Sequence, residues 1–174
     1  MYWLAKSSMN SMRSKQIAFG ATAAAVVSTQ FFFNWGINKT IYPPNNTTTD
    51  NRLFTTYVYD RNELHDVILF KEPLLLNFTY QGDKKCNKLT QSLFDILAYK
   101  ENYPLDSKKN PVNLANISCD TPGARDMMLT YGINKVPSIL CLHKQIPYDK
   151  YVPKDLEAGV NENELKDWIA SVAK

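Results

Sequence analysis

The chain has 174 residues, 44% of them hydrophobic, and a formal net charge of +3. That length suits one folded domain plus an appendage and can bury a core without staples. The small charge, and the lack of a Lys/Arg stripe interleaved with aromatics, argue against a nucleic-acid partner. Two histidines, His65 and His143, are too few for most zinc arrangements. The three cysteines, Cys86, Cys119 and Cys141, are distant from one another and form no C-x-x-C, so no disulfide framework is read.

Residues 1–16 are a basic leader, carrying Lys6, Arg13 and Lys15, several serines and no acid. From Gln16 to Ile37 there is no charged residue. Residues 17–37 therefore approach the roughly 20 residues that a helix needs to cross a bilayer. Phe31, Phe32, Phe33 and Trp35 gather at one end, as aromatics do at a membrane interface. A mitochondrial inner-membrane anchor is the first reading. An endoplasmic reticulum signal anchor or cleaved signal peptide is the alternative, and a buried soluble helix is the third. Basic residues stay on the synthesis side, which places the rest of the chain in the intermembrane space, or in the lumen under the alternative. In the secretory route the sequons at Asn38, Asn46, Asn77 and Asn116 become candidate glycosylation sites, although Asn77 lies in an apolar run.

Residues 38–52 are rich in Pro, Asn and Thr without hydrophobic period and read as an extended linker. Residues 53–174 read as the folded domain. Leu53–Tyr59 is rich in β-branched and aromatic residues and predicts a strand. Asp60 and Glu63 form a capping-box pattern for a helix to about Lys71. After Pro73, Leu74–Tyr80 is a near-continuous apolar run, expected as a central strand covered on both faces. Asp83 is an N-cap candidate for a second helix, whose stripe comprises Cys86, Leu89, Leu93, Phe94, Leu97 and Ala98. A polar loop over 100–111, including Lys108 and Lys109, precedes a strand over 112–119. A turn at Thr121–Gly123 and a short helix over 124–131 follow, with Met127 and Met128 read as packing or surface residues. A strand then runs to His143, and 148–152 pairs with it as a hairpin. Asn161 and Glu164 cap a last helix lined by Leu165, Trp168, Ile169 and Val172. The order β-α-β-α-β-α-β-β-α implies an α/β fold with one mixed sheet sandwiched by helices, preceded by a single transmembrane helix. Cys141 and His143 share a strand face, which makes them conceivable metal ligands. The preferred reading is ordinary sheet residues, as for Cys119, and no metal or other cofactor is expected.

With these elements in place, residues 53–174 resemble a thioredoxin-fold domain. The segment Tyr131-Gly-Ile-Asn-Lys-Val136-Pro137-Ser-Ile139 is similar to the family's Y-G-I-x-x-[IV]-P-T-[LIV]. Lys71-Glu-Pro-Leu-Leu-Leu-Asn77-Phe78 is similar to its K-P-V-[LV]-V-D-F. The resemblance implies a cis Val136–Pro137 bond beside the start of the second helix. Counting from Phe78 without gaps, Gly82 takes the place of the family's tryptophan, Asp83 that of the nucleophilic cysteine and Cys86 that of the second. Asn77 takes the place of the buried aspartate that assists proton transfer.

Those departures carry chemical weight. Aspartate uses the same helix field that favours a thiolate, but cannot attack a disulfide. Asn77 cannot ionise. The expectation is therefore a membrane-tethered, redox-inactive member without catalytic residues, whose Val136–Pro137 ridge binds an extended segment of a protein partner or serves assembly. The alternative is a monothiol disulfide oxidoreductase using Cys86. A copper-chaperone role would need the paired cysteines that are missing here.

Overall fold

A computed structural model describes residues 39–103, 110–155 and 159–174. The leader (1–16), the apolar segment (17–37), Asn38 and Lys108–Lys109 lie outside the described residues. Among those described, no helix is long and apolar enough to cross a membrane. Five strands and four helices follow the expected order: β1 (Arg52–Leu53), α1 (Arg61–Val67), β2 (Leu74–Thr79), α2 (Lys84–Ala98), β3 (Asn113–Ser118), α3 (Pro122–Thr130), β4 (Ser138–His143), β5 (Ile146–Tyr151) and α4 (Glu162–Val172).

The strands form one mixed sheet in the order β1-β3-β2-β4-β5. β1 and β2 run parallel to β3, and β4 runs antiparallel to both β2 and β5. β2 is central, and its six residues are all buried, as an apolar run covered on both faces requires. Alternation splits them between two cores. Leu75 joins Leu114, Ile139 and Cys141 under α2 and α4, against Leu89, Leu93, Phe94, Leu97, Leu165 and Ile169. Leu74, Leu76 and Phe78 face the opposite layer with Ala115, Ile117, Leu140, Leu64 of α1 and Met127 of α3.

Four sequence expectations need correction. The stretch 53–59 is not a continuous strand. Leu53 pairs with Leu114, but the next bridge is Val58 with Ile117, so residues 54–57 make a longer excursion than their partner strand. That excursion turns Tyr57 inward, where its hydroxyl donates to the Ile41 carbonyl at 2.9 Å. Helix α1 ends at Val67, not Lys71. Leaving the helix there lets Phe70 pack tilted against Phe54, with ring centroids 5.7 Å apart, and places it 4.5 Å from the Arg52 guanidinium. β5 begins at Ile146 because Lys144 and Gln145, with φ of 48° and 70°, make the tight reversal without the usual Asn-Gly signal.

The fourth correction concerns the linker. Residues 39–51 are a strap hydrogen-bonded to the domain rather than a free spacer. Asn87 donates its side-chain amide to the Lys39 carbonyl at 2.9 Å, near the start of α2. At the other end of that helix, Thr48 N–H reaches the Ala98 carbonyl at 2.8 Å, and both the Thr49 hydroxyl and the Asn51 amide donate to Leu97 O. Asn51 Oδ1 accepts from Val112 N–H at 2.9 Å, tying the helix end to the start of β3. Polar residues without hydrophobic period thus satisfy carbonyls that a helix leaves orphaned.

The outer edge at β5 is blunted. Pro147 removes a donor, a register shift between Cys141 and Leu142 leaves Tyr148 without a direct partner, and Lys150 adds charge.

Candidate functional site

The site lies where the central strand β2 ends and α2 begins. Asp83 N–H donates to the Tyr80 carbonyl at 3.3 Å, and Gly82 between them has φ of 77°. A turn with positive φ at its third residue favours glycine. The need for this turn therefore accounts for Gly82 better than the loss of an aromatic surface does. Gln81 fixes the turn from the side. Its backbone N–H donates to Asp120 Oδ2 at 2.7 Å and its amide to the Tyr59 hydroxyl at 3.1 Å. Neither Asp120 nor Tyr59 was marked by the sequence reading, since no motif links them to the turn.

Asp83 is the N-cap of α2. Its Oδ1 accepts from Lys85 N–H at 3.0 Å and Cys86 N–H at 2.8 Å. The Cys86 backbone N–H is the main reason its carboxyl is held below the ordinary 3.8. The helix amides are therefore engaged by a carboxylate. Cys86, one turn in, is 1% exposed. Burial pushes its thiol up to about 11, and the neighbouring Asp83 carboxylate adds to the rise. Near neutral pH such a thiol stays protonated.

The other cysteines offer no partner of the family kind. Cys119 packs against the core on the α1/α3 face of the sheet, and its thiol lies near enough to Cys86 for the two to interact electrostatically, but both are raised by burial. Cys141 is buried in the core beneath α2 and α4. All three thiols are free. His143, two residues on from Cys141, has its Nε2 at 2.7 Å from the Val172 carbonyl at the end of α4. Among the described residues no group of three or more His, Cys, Asp or Glu converges as a metal site.

Asn77 sits in the middle of β2, fully buried, opposite Asn116 of β3. Its Nδ2 donates to Thr90 Oγ1 at 2.9 Å and to Asn116 Oδ1 at 2.8 Å. Asn77 therefore ties the sheet to α2 one turn beyond Cys86. A carboxylate there could accept from the Thr90 hydroxyl but would have no proton for Asn116 Oδ1. Asn77 and Asn116 are too buried for their sequons to accept a sugar on the folded chain, whereas Asn46 is exposed.

The Val136–Pro137 bond is cis. Both residues line a groove of about 420 Å³ that also reaches Tyr80, Asp83 and Cys86. The structure therefore brings together Asp83, Cys86, Val136 and Pro137, sets Gly82 in the adjoining turn, and places Asn77 beneath the helix. Lys85, Lys135, Pro153, Lys154 and Asp155 also line the groove, and the last three were not singled out from sequence.

No protein-family model and no curated protein sequence matches the chain. Solved structures do. A thioredoxin variant from Halobacterium salinarum is 18% identical, with TM-score 0.51, covering 77% of this chain and 96% of its own. Thioredoxin O2 from Arabidopsis thaliana, in the oxidised state, is 13% identical, with TM-score 0.51 and coverages of 75% and 100%. Mitochondrial thioredoxin 3 from Saccharomyces cerevisiae, in the oxidised form, is 16% identical, with TM-score 0.50 and coverages of 67% and 93%. At these identities the likeness speaks to architecture, and it agrees with the strand order and the cis proline: the chain has a thioredoxin-like fold.

Proposed function

We propose that this chain is a membrane-tethered, catalytically silent thioredoxin-like protein that binds a protein partner at its Val136–Pro137 groove. The tether is residues 17–37. The proposed setting is the mitochondrial inner membrane, with the folded domain in the intermembrane space. The observation that carries the silent reading is the exchange at the start of α2. An ionised, capping Asp83 stands where the family's attacking thiol would be, and Cys86 behind it is buried with its thiol at about 11. Buried Asn77 adds to this, because it bridges Thr90 and Asn116 rather than serving as a proton acceptor. Removing the thiol chemistry leaves the groove intact, so docking is the capacity that the site retains.

The chemical half is tested by insulin-disulfide reduction with dithiothreitol. The full chain should run at the reagent background, and Cys86→Ser should change nothing. Turnover above background that disappears in Cys86→Ser would establish the monothiol reading instead. The location is tested by protease protection. The domain should be shielded in intact mitochondria and cleaved in mitoplasts. Resistance in mitoplasts, or sugar on Asn46 in cells, contradicts the placement.

A further inference from the structure

The strap fixes where the chain enters the folded domain. Asn87 of α2 donates to the Lys39 carbonyl, and the buried Tyr57 donates to the Ile41 carbonyl, each at 2.9 Å. Ile41 packs against the core under α2 and α4, and Pro43 is buried. Lys39 is therefore held against the first turns of α2. In the sequence, only Asn38 separates it from the uncharged segment that ends at Ile37. Two residue steps span at most about 7 Å. A tether ending at Ile37 thus leaves no free spacer, and the bilayer surface falls close to Lys39. The side chains around Lys39 suit such a surface. Lys84, Asn87, Lys88 and Gln91 share one face of α2 and line a cleft of about 570 Å³ with Ile41. Lys39, Lys84 and Lys88 are exposed. Tyr42 is 61% exposed, its ring edge-on to Tyr57 with centroids 5.9 Å apart. Tyrosine rings sit at the level of bilayer headgroups, and lysines extend their ammonium groups there. The acids of the cleft are Asp95 and Glu162. Asp95 lies about 16 Å along the helix from Lys84 and accepts from Gln91 Nε2 at 2.8 Å, while Glu162 stands on α4.

We propose that the face formed by Lys39, Tyr42, Lys84 and Lys88 lies against the phospholipid headgroups of the membrane that holds residues 17–37. This rests on the tether reading above and adds which side of the domain meets the bilayer. Tyr42 lies at the headgroup level, and the lysine ammonium groups meet lipid phosphates, which zwitterionic and anionic lipids share. The contact needs no excess of cations over acids, because the strap itself brings this face to the surface.

The test uses the full chain in phosphatidylcholine vesicles that contain a lipid spin-labelled at its headgroup. Bimane is attached to Tyr42→Cys, Lys84→Cys or Leu129→Cys, each with an unchanged circular dichroism spectrum. The unsubstituted chain, labelled in parallel, gives the background of the native thiols. Leu129 is the control, since it is 73% exposed on α3, which packs on the opposite face of the sheet from α2. Quenching at positions 42 and 84 should exceed that at 129 by at least about twofold. A chain that fails to float with the vesicles overturns the tether reading and this face with it. Flotation with equal quenching at all three positions, or with most at 129, leaves the tether standing and overturns the assignment of this face. Labels at 42 and 84 that escape the lipid quencher yet are shielded from aqueous iodide assign the face to a second copy of the chain and overturn the lipid contact.

Discussion

The two ends of helix α2 solve the same problem by different means. Each must satisfy backbone groups that the helix leaves unpaired. At the N-terminal end the solution is local: Asp83 caps the helix that follows it, beside an open groove. At the C-terminal end the solution comes from a strap nearly fifty positions away. Thr48, Thr49 and Asn51 bond Ala98 and Leu97, and Thr48 Oγ1 accepts from Lys100 N–H at 2.8 Å. The sealed end ties the strap to the fold, and the other end borders the groove at Val136–Pro137.

The largest expected effect comes from breaking the sealed end. Starting the chain at Arg52 removes the partners of Leu97 O, Ala98 O and Val112 N–H, and the packing of Ile41. Each buried group left unpaired costs about 1–3 kcal/mol, comparable in sum to the roughly 5–15 kcal/mol that holds a domain together. The truncated chain should lose its cooperative thermal transition. A transition within a few degrees of the full chain would mean that the strap is dispensable. Asn51→Leu alone should cost about 1–3 kcal/mol in urea unfolding, since Val112 N–H loses its acceptor while Thr49 still serves Leu97.

Next is the sheet beneath the open end. Asn77→Asp restores the family residue but removes both Nδ2 donors and faces a carboxyl toward Asn116 Oδ1. About 2–4 kcal/mol of stability should be lost, more at pH 8 than at pH 5, where the introduced carboxyl is more easily kept neutral. Equal or greater stability at pH 8 would show that the site still accommodates the family's acid.

The contrast between the ends also explains what could be read from sequence. The Asp83 cap, the α2 stripe and the cis proline involve residues close together in the chain, so spacing and motif reveal them. The strap bonds residues far apart through threonine and asparagine side chains, which carry no period and look like spacer. The same applies to Asp120 and Tyr59 on the site turn, and to Thr90 and Asn116 around Asn77. The reading of 53–59 as a strand failed because β-branched composition reports preference for extended backbone, not the register that turns Tyr57 toward Ile41.

Smaller effects belong to the open end itself. Asp83→Ala should cost about 1 kcal/mol as a lost cap, whereas Asp83→Asn should retain most of it. Either change should lower the Cys86 thiol from about 11, because the carboxylate that raises it is gone. The pH profile follows from the same groups. Burial lifts Cys86 to about 11, Cys119 and Cys141 to about 12, and Tyr57 and Tyr103 to about 12. Below their ordinary values of 9.0 and 10.0 both states keep these protons, so their ionisation leaves stability unchanged. Above them the unfolded chain ionises first, so stability falls as pH rises from about 9 to about 12. Asp83 acts oppositely. Its contribution is present above 3.8 and is lost as pH falls through its depressed folded value.

The central claim is that the start of α2 is committed to a carboxylate, leaving Cys86 unactivated. Site-resolved alkylation of the native full chain with iodoacetamide, followed by mass spectrometry across pH, tests it most directly. Cys86 should react at least about a hundredfold more slowly than free cysteine near neutral pH, with its rate still rising toward pH 11. Rapid labelling with a midpoint below about 7.5 would reveal an activated thiolate and contradict the account.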